Sequence, residues 1–449
     1  KIISQRTLPT LTVTKPVMPA PLVPIGPVSF ELNLPQNTTQ SWIYGLSPDG
    51  TRAWGQFIDQ NGQHQQHCFI TKLDGTGIID LHFKDTFGSQ IFGLSKDGNK
   101  ALGNYFDDNG PHAFIAKIDG TGFVDLLPQG STGSLINGIS ADGTKAWGYF
   151  NDQNGQHAFI TNLDGTGFSD MSPQGSTGSQ IFGITPDGTK AWGQFQDQNG
   201  QSHAFISSTD GTSFIDLKPQ GSIGSWIYGV TPDSSKALGS VTYNNGQQRS
   251  FIANIDGTGF IDLTPSNGIG SGIIGLTPDS KKLWGYFTDQ LGNNRSIITN
   301  LDGSNPIDLT PPGALSSWIG GKCIDGSYMT GGITPDNQKT LGQYKTSNND
   351  VHAYIINTDG TKSIDLNPLN SKSSSIINIT KIGDRAWGLF TNESGQTHGF
   401  IMNVDSTSFV DVTPTGAINC NLNFLMFNNK LFGTYQTADQ KWHGFTYQT

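Results

Sequence analysis

The sequence predicts an all-β fold made of repeated four-stranded antiparallel sheets, and three observations carry that reading. Apolar residues alternate with period two in short runs. In Lys145 to Phe150, Lys, Trp and Tyr fall on one face and Ala, Gly and Phe on the other. Turn chemistry separates the runs: Ser-Ala-Asp-Gly at 140–143, Asp-Gln-Asn-Gly at 152–155 and Asp-Gly-Thr-Gly at 164–167. The block from Ser134 to Met171 then recurs along almost the whole chain. A mid-strand glycine marks each copy, at Gly55, Gly103, Gly148, Gly193, Gly239, Gly285, Gly342, Gly388 and Gly433, spaced 45 to 48 residues apart with one interval of 57.

Within the Ser134 block the four runs are Leu135 to Ile139, Lys145 to Phe150, His157 to Thr161 and Phe168 to Met171, joined as hairpins. A glycine inside a strand weakens it unless another backbone comes close. Both faces of the sheet carry aromatic or apolar residues, so each sheet is expected to lie between neighbours, with the glycine at the stacking contact. Repeats of this length with four strands each read as the blades of a β-propeller.

Nine copies exceed the usual range of roughly four to eight blades. Nine blades are nevertheless preferred, with eight as the fallback, because the last copy supplies only three strands: Asn423 to Phe427, Lys430 to Gln436 and His443 to Gln448. Phe30-Glu-Leu-Asn-Leu-Pro-Gln36 resembles the missing fourth. The expectation is a closed β-propeller whose last blade is completed by an N-terminal strand at 27–36, which removes the open edge. Blades begin near residues 41, 89, 134, 179, 225, 271, 316, 373 and 417. Residues 1–26, rich in Pro and Thr, read as an extended tether, and 27–449 as one propeller domain.

Ser47-Pro-Asp-Gly50 before a strand resembles the repeats of TolB-like propellers. The His-Ala-Phe triplets at His112, His157 and His203, followed by Asp-Gly-Thr and an Asp-Leu pair, are similar to the HAF repeats of bacterial extracellular proteins. The resemblance spans roughly residues 40 to 449. It implies a propeller fold and an exported location, extracellular or periplasmic, and little about activity. Arg249 and Arg295 depart from the pattern by replacing the triplet's His, and Ser234, Ser280 and Asn337 by replacing the turn Gly.

The 449 residues carry a net charge of −10, nearly all from turn Asp, which argues against nucleic acid or an anionic membrane as partner. No apolar run approaches the ~20 residues of a membrane helix, so membrane insertion is not expected. Three cysteines are too few for a disulfide framework. Cys68 reads as a small buried residue, and Cys323 and Cys420 as a candidate bridge. The chain begins at Lys1 rather than Met, as a mature form without its signal peptide or a trimmed chain would.

The triplet histidines, His67, His112, His157, His203, His352, His398 and His443, fall one per blade, too far apart to share a metal. Arg at two of these positions indicates that a hydrogen-bond donor is wanted, directed at a turn Asp or a carbonyl. The Asp-x-Asn-Gly turns lack the six or more oxygens and closing Glu of a calcium loop. They leave room for weak calcium binding at most, and no cofactor is expected.

Trp54, Trp147, Trp192, Trp284 and Trp387, beside the marker glycine, read as core between blades. Trp42, Trp226 and Trp318 differ by opening the innermost strand, where sister copies carry Gln90, Leu135 or Gln180. With Lys322, Asp325 and Tyr328 of the irregular seventh copy, the three Trp and Gln90 and Gln180 form the candidate ligand-binding set. Glu occurs only at Glu31 and Glu393, and no nucleophile elbow, phosphate loop or zinc motif is present. The first expectation is therefore a monomeric, secreted, non-enzymatic scaffold binding a glycan or a cell-surface protein at its first-strand rim. The alternative is a glycan hydrolase or lyase with an Asp-based site near the channel mouth.

Overall fold

The computed structural model describes residues 38–59, 66–81, 86–320, 332–368, 370–379, 384–404, 409–427 and 430–448. Every element in it is a strand. The strands form nine antiparallel units in chain order, eight four-stranded and the last three-stranded among the described residues. The third unit is representative, with strands Gly133–Ile139, Lys145–Asp152, Gly155–Asn162 and Ser169–Asp170. Single parallel bridges, Gln66 with Gly88 and Gln156 with Gly178, couple the first unit to the second and the third to the fourth. The proposed closing strand and tether lie outside the described residues.

The turns form for the reasons their residues suggest. Ser140 donates its hydroxyl to Asp142 at 2.5 Å and accepts the Lys145 amide at 2.9 Å, while Gly143 turns back with φ of 74°. Ser234, Ser280 and Asn337, which replace that glycine, adopt φ near 60° all the same. The short Asp side chain thus holds the hairpin even where the left-handed residue is not glycine.

Between units the core is a repeated sandwich. Ile181, on the first strand of unit four, packs on Ala158 and Ile160 of unit three's third strand, with Phe205 and Ala191 behind. The third-strand aromatics Phe69, Phe114, Phe159, Phe205, Phe251, Tyr354 and Phe400 are all fully buried. A serine of the first strand pins the junctions up to unit eight: Ser179 Oγ accepts the Ala158 amide at 2.8 Å, and Ser134 and Ser225 repeat the bond to Ala113 and Ala204; Cys420 stands at this place in unit nine. Trp284 and Trp387 are buried as expected, whereas Trp54, Trp147 and Trp192 are half-buried at the rims of these clusters.

The marker glycine is at a close approach, but not the one expected. A Cβ on Gly148 would collide with the carbonyl oxygen of Leu135, and one on Gly239 with that of Trp226. Both oxygens belong to the first strand of the same sheet, so the glycine serves a contact inside the sheet rather than between sheets. There the first strand carries a β-bulge: in unit five Ile227 pairs with Gly239 and Gly229 with Leu238, leaving Tyr228 as the extra residue. The same shift occurs at Tyr44, Phe92, Phe182 and Ile274. A bulge bends its strand and re-aims the extra side chain.

The extra residues of the long seventh interval enter the chain where the other units carry that bulge. Ile319 still pairs with Gly342, and beyond 321–331 Ile333 bridges Thr340, so both flanks keep the standard register. No helix among the described residues is long and apolar enough to cross a membrane. The first and last units present their outer faces to solvent, so the expected closure is not made among the described residues.

Candidate functional site

The bulges expose aromatic side chains along one edge of the stack. Tyr44, Phe92, Tyr228 and Ile274 are each 46 to 48% exposed, and Trp42 and Trp226, two residues before the bulge, 41 and 42%. Ser41-Trp-Ile-Tyr-Gly45 and Ser225-Trp-Ile-Tyr-Gly229 are identical, so units one and five carry the same aromatic pair. Trp318 is half-buried and donates its indole N–H to Gln343 Oε1 at 3.1 Å. Gln90 and Gln180 are half-buried at the matching positions of units two and four. These candidates mark equivalent places on successive sheets and do not converge on one centre. Lys322, Asp325 and Tyr328 fall outside the described residues.

Trp226 is where a cleft forms. A space of about 260 Å³ opens between units four and five, lined by Gln194, Ser202, Trp226, Tyr228, Ser240 and Gln248, among others. Phe182 of unit four stacks on the Trp226 ring at 5.4 Å between centroids and holds it in place. Tyr228 donates its hydroxyl to Ser240 Oγ at 2.6 Å, and Gln248 donates to the same oxygen at 3.0 Å. Gln194 Nε2 is buried in the wall with no hydrogen-bond partner. An unmet buried donor costs about 1–3 kcal/mol.

Sequence reasoning found Trp226 but missed Tyr228, Gln194 and Gln248. The bulge hides Tyr228 from period-two counting; the one available signal was the aromatic between Ile and Gly in Ile-Tyr-Gly and Ile-Phe-Gly. Gln194 and Gln248 sit on different strands from Trp226, and only pairing brings them together.

A second cleft, about 420 Å³, lies between the outer ends of units three and four, with Asp170, Ser172, Phe195 and Phe214 in its wall. Its polar groups are engaged: Asp170 accepts from His157 Nδ1 at 3.0 Å and from the Ser172 amide at 2.8 Å, and Ser172 Oγ bonds Ser179 Oγ at 2.8 Å.

The histidines are structural, as the Arg substitutions suggested. Six of the seven bond the strand-four Asp thirteen residues on, among them His67 with Asp80 at 2.9 Å, His203 with Asp216 at 2.8 Å and His398 with Asp411 at 2.9 Å, while His443 lies 3.3 Å from the Thr437 hydroxyl. Arg249 and Arg295 donate to Asp262 and Asp308 at 3.0 Å in the same geometry. Phe57 and Phe150 stack on His67 and His157. The Asp-x-Asn-Gly turns are self-capped, Asp197 accepting the amides of Asn199 and Gln201 at 2.8 and 2.9 Å.

Local hydrogen bonds hold the turn carboxylates in their charged form. The Ser47 hydroxyl, then the Thr51 amide and hydroxyl, hold Asp49 down to about 2, and the Ser208 hydroxyl does the same for Asp210. Among the described residues the Asp with displaced values are all displaced downward, most by a turn hydroxyl and others, such as Asp152 and Asp197, by backbone amides. Burial pushes the Cys68 thiol up to about 12 and that of Cys420 up to about 11. Cys420 is a free, buried thiol, and its expected partner Cys323 lies outside the described residues.

No protein-family model and no curated protein matches the chain. Among solved structures it is similar to a putative TolB from Agrobacterium tumefaciens, at 16% identity over 54% of this chain and 83% of that one, with a TM-score of 0.31. TolB from Acinetobacter baumannii aligns at 14% identity over 60% of this chain and 62% of that one, TM-score 0.30. The tricorn protease aligns at 11% over 91% of this chain and 42% of that one, TM-score 0.35. Similarity this slight carries no functional argument.

Proposed function

We propose that the chain is an exported, non-enzymatic binding scaffold that recognises a glycan, or a glycan-bearing protein, on a cell surface through its bulged first strands. The observation that carries this reading is the Trp226 cleft. A rigidly backed indole, a tyrosine, and amides with an unmet donor are the groups that hold a sugar: an aromatic face for the apolar side of the ring and polar atoms for its hydroxyls. The matching Trp42–Tyr44 pair adds a second aromatic platform. Two weak sites on one chain gain avidity for a ligand that repeats.

A glycan array probed with the purified protein tests the reading, with and without EDTA. Specific binding that Trp226→Ala and Gln194→Ala each weaken at least tenfold is the expected result. A blank array with protein shown to be folded by circular dichroism would refute glycan recognition.

A further inference from the structure

At the first two junctions the residue after the marker glycine reaches across to the next unit. Gln56 Nε2 donates to the Ser89 carbonyl of unit two at 3.2 Å, and Asn104 Oδ1 accepts the Ile136 amide of unit three at 3.2 Å. Gln194 holds the same position in unit four, yet its Nε2 is buried without a partner. The serine that corresponds to Ser89 is Ser225, and both Gln194 and Ser225 stand in the wall of the Trp226 cleft. The donor that an amide carbonyl satisfies at the first junction is thus left open where the cleft lies.

The rest of the wall narrows the chemistry. Among the described lining residues none carries a charge, so a carboxylate or an ammonium taken in there would be desolvated without a counter-ion. The chain's net charge of −10 further disfavours an acidic sugar. Gln248 Nε2 is committed to Ser240 Oγ at 3.0 Å, which leaves Gln248 Oε1 to accept. Trp226, stacked on Phe182 and partly exposed, supplies an apolar surface beside them. The wall therefore offers an open amide donor, an amide acceptor and an apolar patch, without charge.

We propose that the Trp226 cleft selects an N-acetylated hexosamine, its acetamido carbonyl accepting from Gln194 Nε2, its N–H donating to Gln248 Oε1 and its methyl lying against the Trp226 ring. The inference rests on the glycan reading above and adds the substituent that is read. An acetamido carbonyl is chemically the group that Gln56 meets at Ser89, so the ligand supplies at this junction the bond that the chain makes for itself at another. A hydroxyl in its place accepts from Gln194 but brings a hydrogen that needs an acceptor of its own, and it has no methyl. An ammonium is a donor only and meets Gln194 donor to donor.

The test is ligand-observed NMR titration of the complete chain with two series of methyl glycosides. One is glucose, glucosamine and N-acetylglucosamine, and the other galactose, galactosamine and N-acetylgalactosamine. The N-acetylated member of at least one series is expected to bind about tenfold or more tightly than its hydroxyl and amine partners, with the acetyl methyl the most strongly saturated proton. Gln194→Glu keeps the shape of the side chain and puts a carboxylate where the donor was, so it should abolish the preference. Trp226→Ala should weaken every member that binds. Hydroxyl sugars that bind as tightly as the N-acetylated ones overturn acetamido selection and leave glycan recognition standing. A preference that survives Gln194→Glu overturns its assignment to this cleft. No binding by any member of either series overturns the proposal, and the glycan array then decides whether glycan recognition falls with it. The comparison of sugars on the unaltered protein does not depend on any variant folding.

Discussion

The bulge predicts opposite outcomes for two glycines ten residues apart on one hairpin. A methyl group added at Gly239 lands on the Trp226 carbonyl oxygen and on the Phe251 ring, 2.6 Å from its nearest carbon. Backbone on one side and a fully buried ring on the other leave no easy retreat. Overpacking of this kind costs typically 1–3 kcal/mol, and Gly239→Ala belongs near the upper end, about 3 kcal/mol. A methyl at Gly229 meets nothing within 4 Å. There alanine restricts the unfolded chain at no steric cost and stabilises by about 0.4–1 kcal/mol. The two variants should therefore differ by about 3–4 kcal/mol. Urea unfolding, with hydrogen exchange over 222–262 to follow unit five itself, reads the difference. Gly239→Ala should also weaken any ligand held by Trp226, since the bulge must shift, while Gly229→Ala should not. A cost below about 1 kcal/mol for Gly239→Ala would mean that the strand gives freely and the bulge does not depend on the glycine.

Other expectations follow from the same geometry. His203→Ala should cost about 2 kcal/mol through loss of the bond to Asp216, and His203→Arg less than half of that; an equal loss in a urea titration would show that the donor is not what matters. The turn carboxylates predict an acid limit. Their folded values lie below the ordinary ~3.9, so their stabilisation is present above pH ~4 and lost as pH falls toward about 2. Asp210→Asn should shrink the fall in urea midpoint between those limits, and an unchanged fall refutes the assignment. Cys68 and Cys420 should resist maleimide in the native state and label fully in denaturant, followed by peptide mass spectrometry. Rapid native labelling would contradict their burial.

Much of the architecture was legible because it is local. The Ser140–Asp142–Gly143 turn is made by neighbours in sequence, and period-two runs found the strands of unit three to within a few residues. The donor role of the histidines was readable from Arg249 and Arg295, since only a shared acceptor suits both side chains. The binding edge was only half legible. Trp42 and Trp226 stood out because sister copies carry other residues there, yet Tyr44 and Tyr228 were not singled out. One extra residue in a strand reverses that count, and no periodicity registers it. Gly148 was expected between sheets because a close backbone was needed; the bulged strand alongside supplies one instead. Gln194 and Gln248 depend on cross-strand pairing over long separations, which one sequence does not display.

The seventh unit shows what the bulge makes available. Eleven residues more than its neighbours enter the chain there, yet Ile319 meets Gly342 and Ile333 meets Thr340 as in any other copy. The strand is already out of step at this point, so length can be added without displacing a core residue or breaking a register. Each sheet with the same bulge is thus a graft port: foreign peptide inserted after Ile181 or Ile227 should leave the stack intact. A lineage of such chains could diversify its binding edge by insertion while the junctions stay fixed.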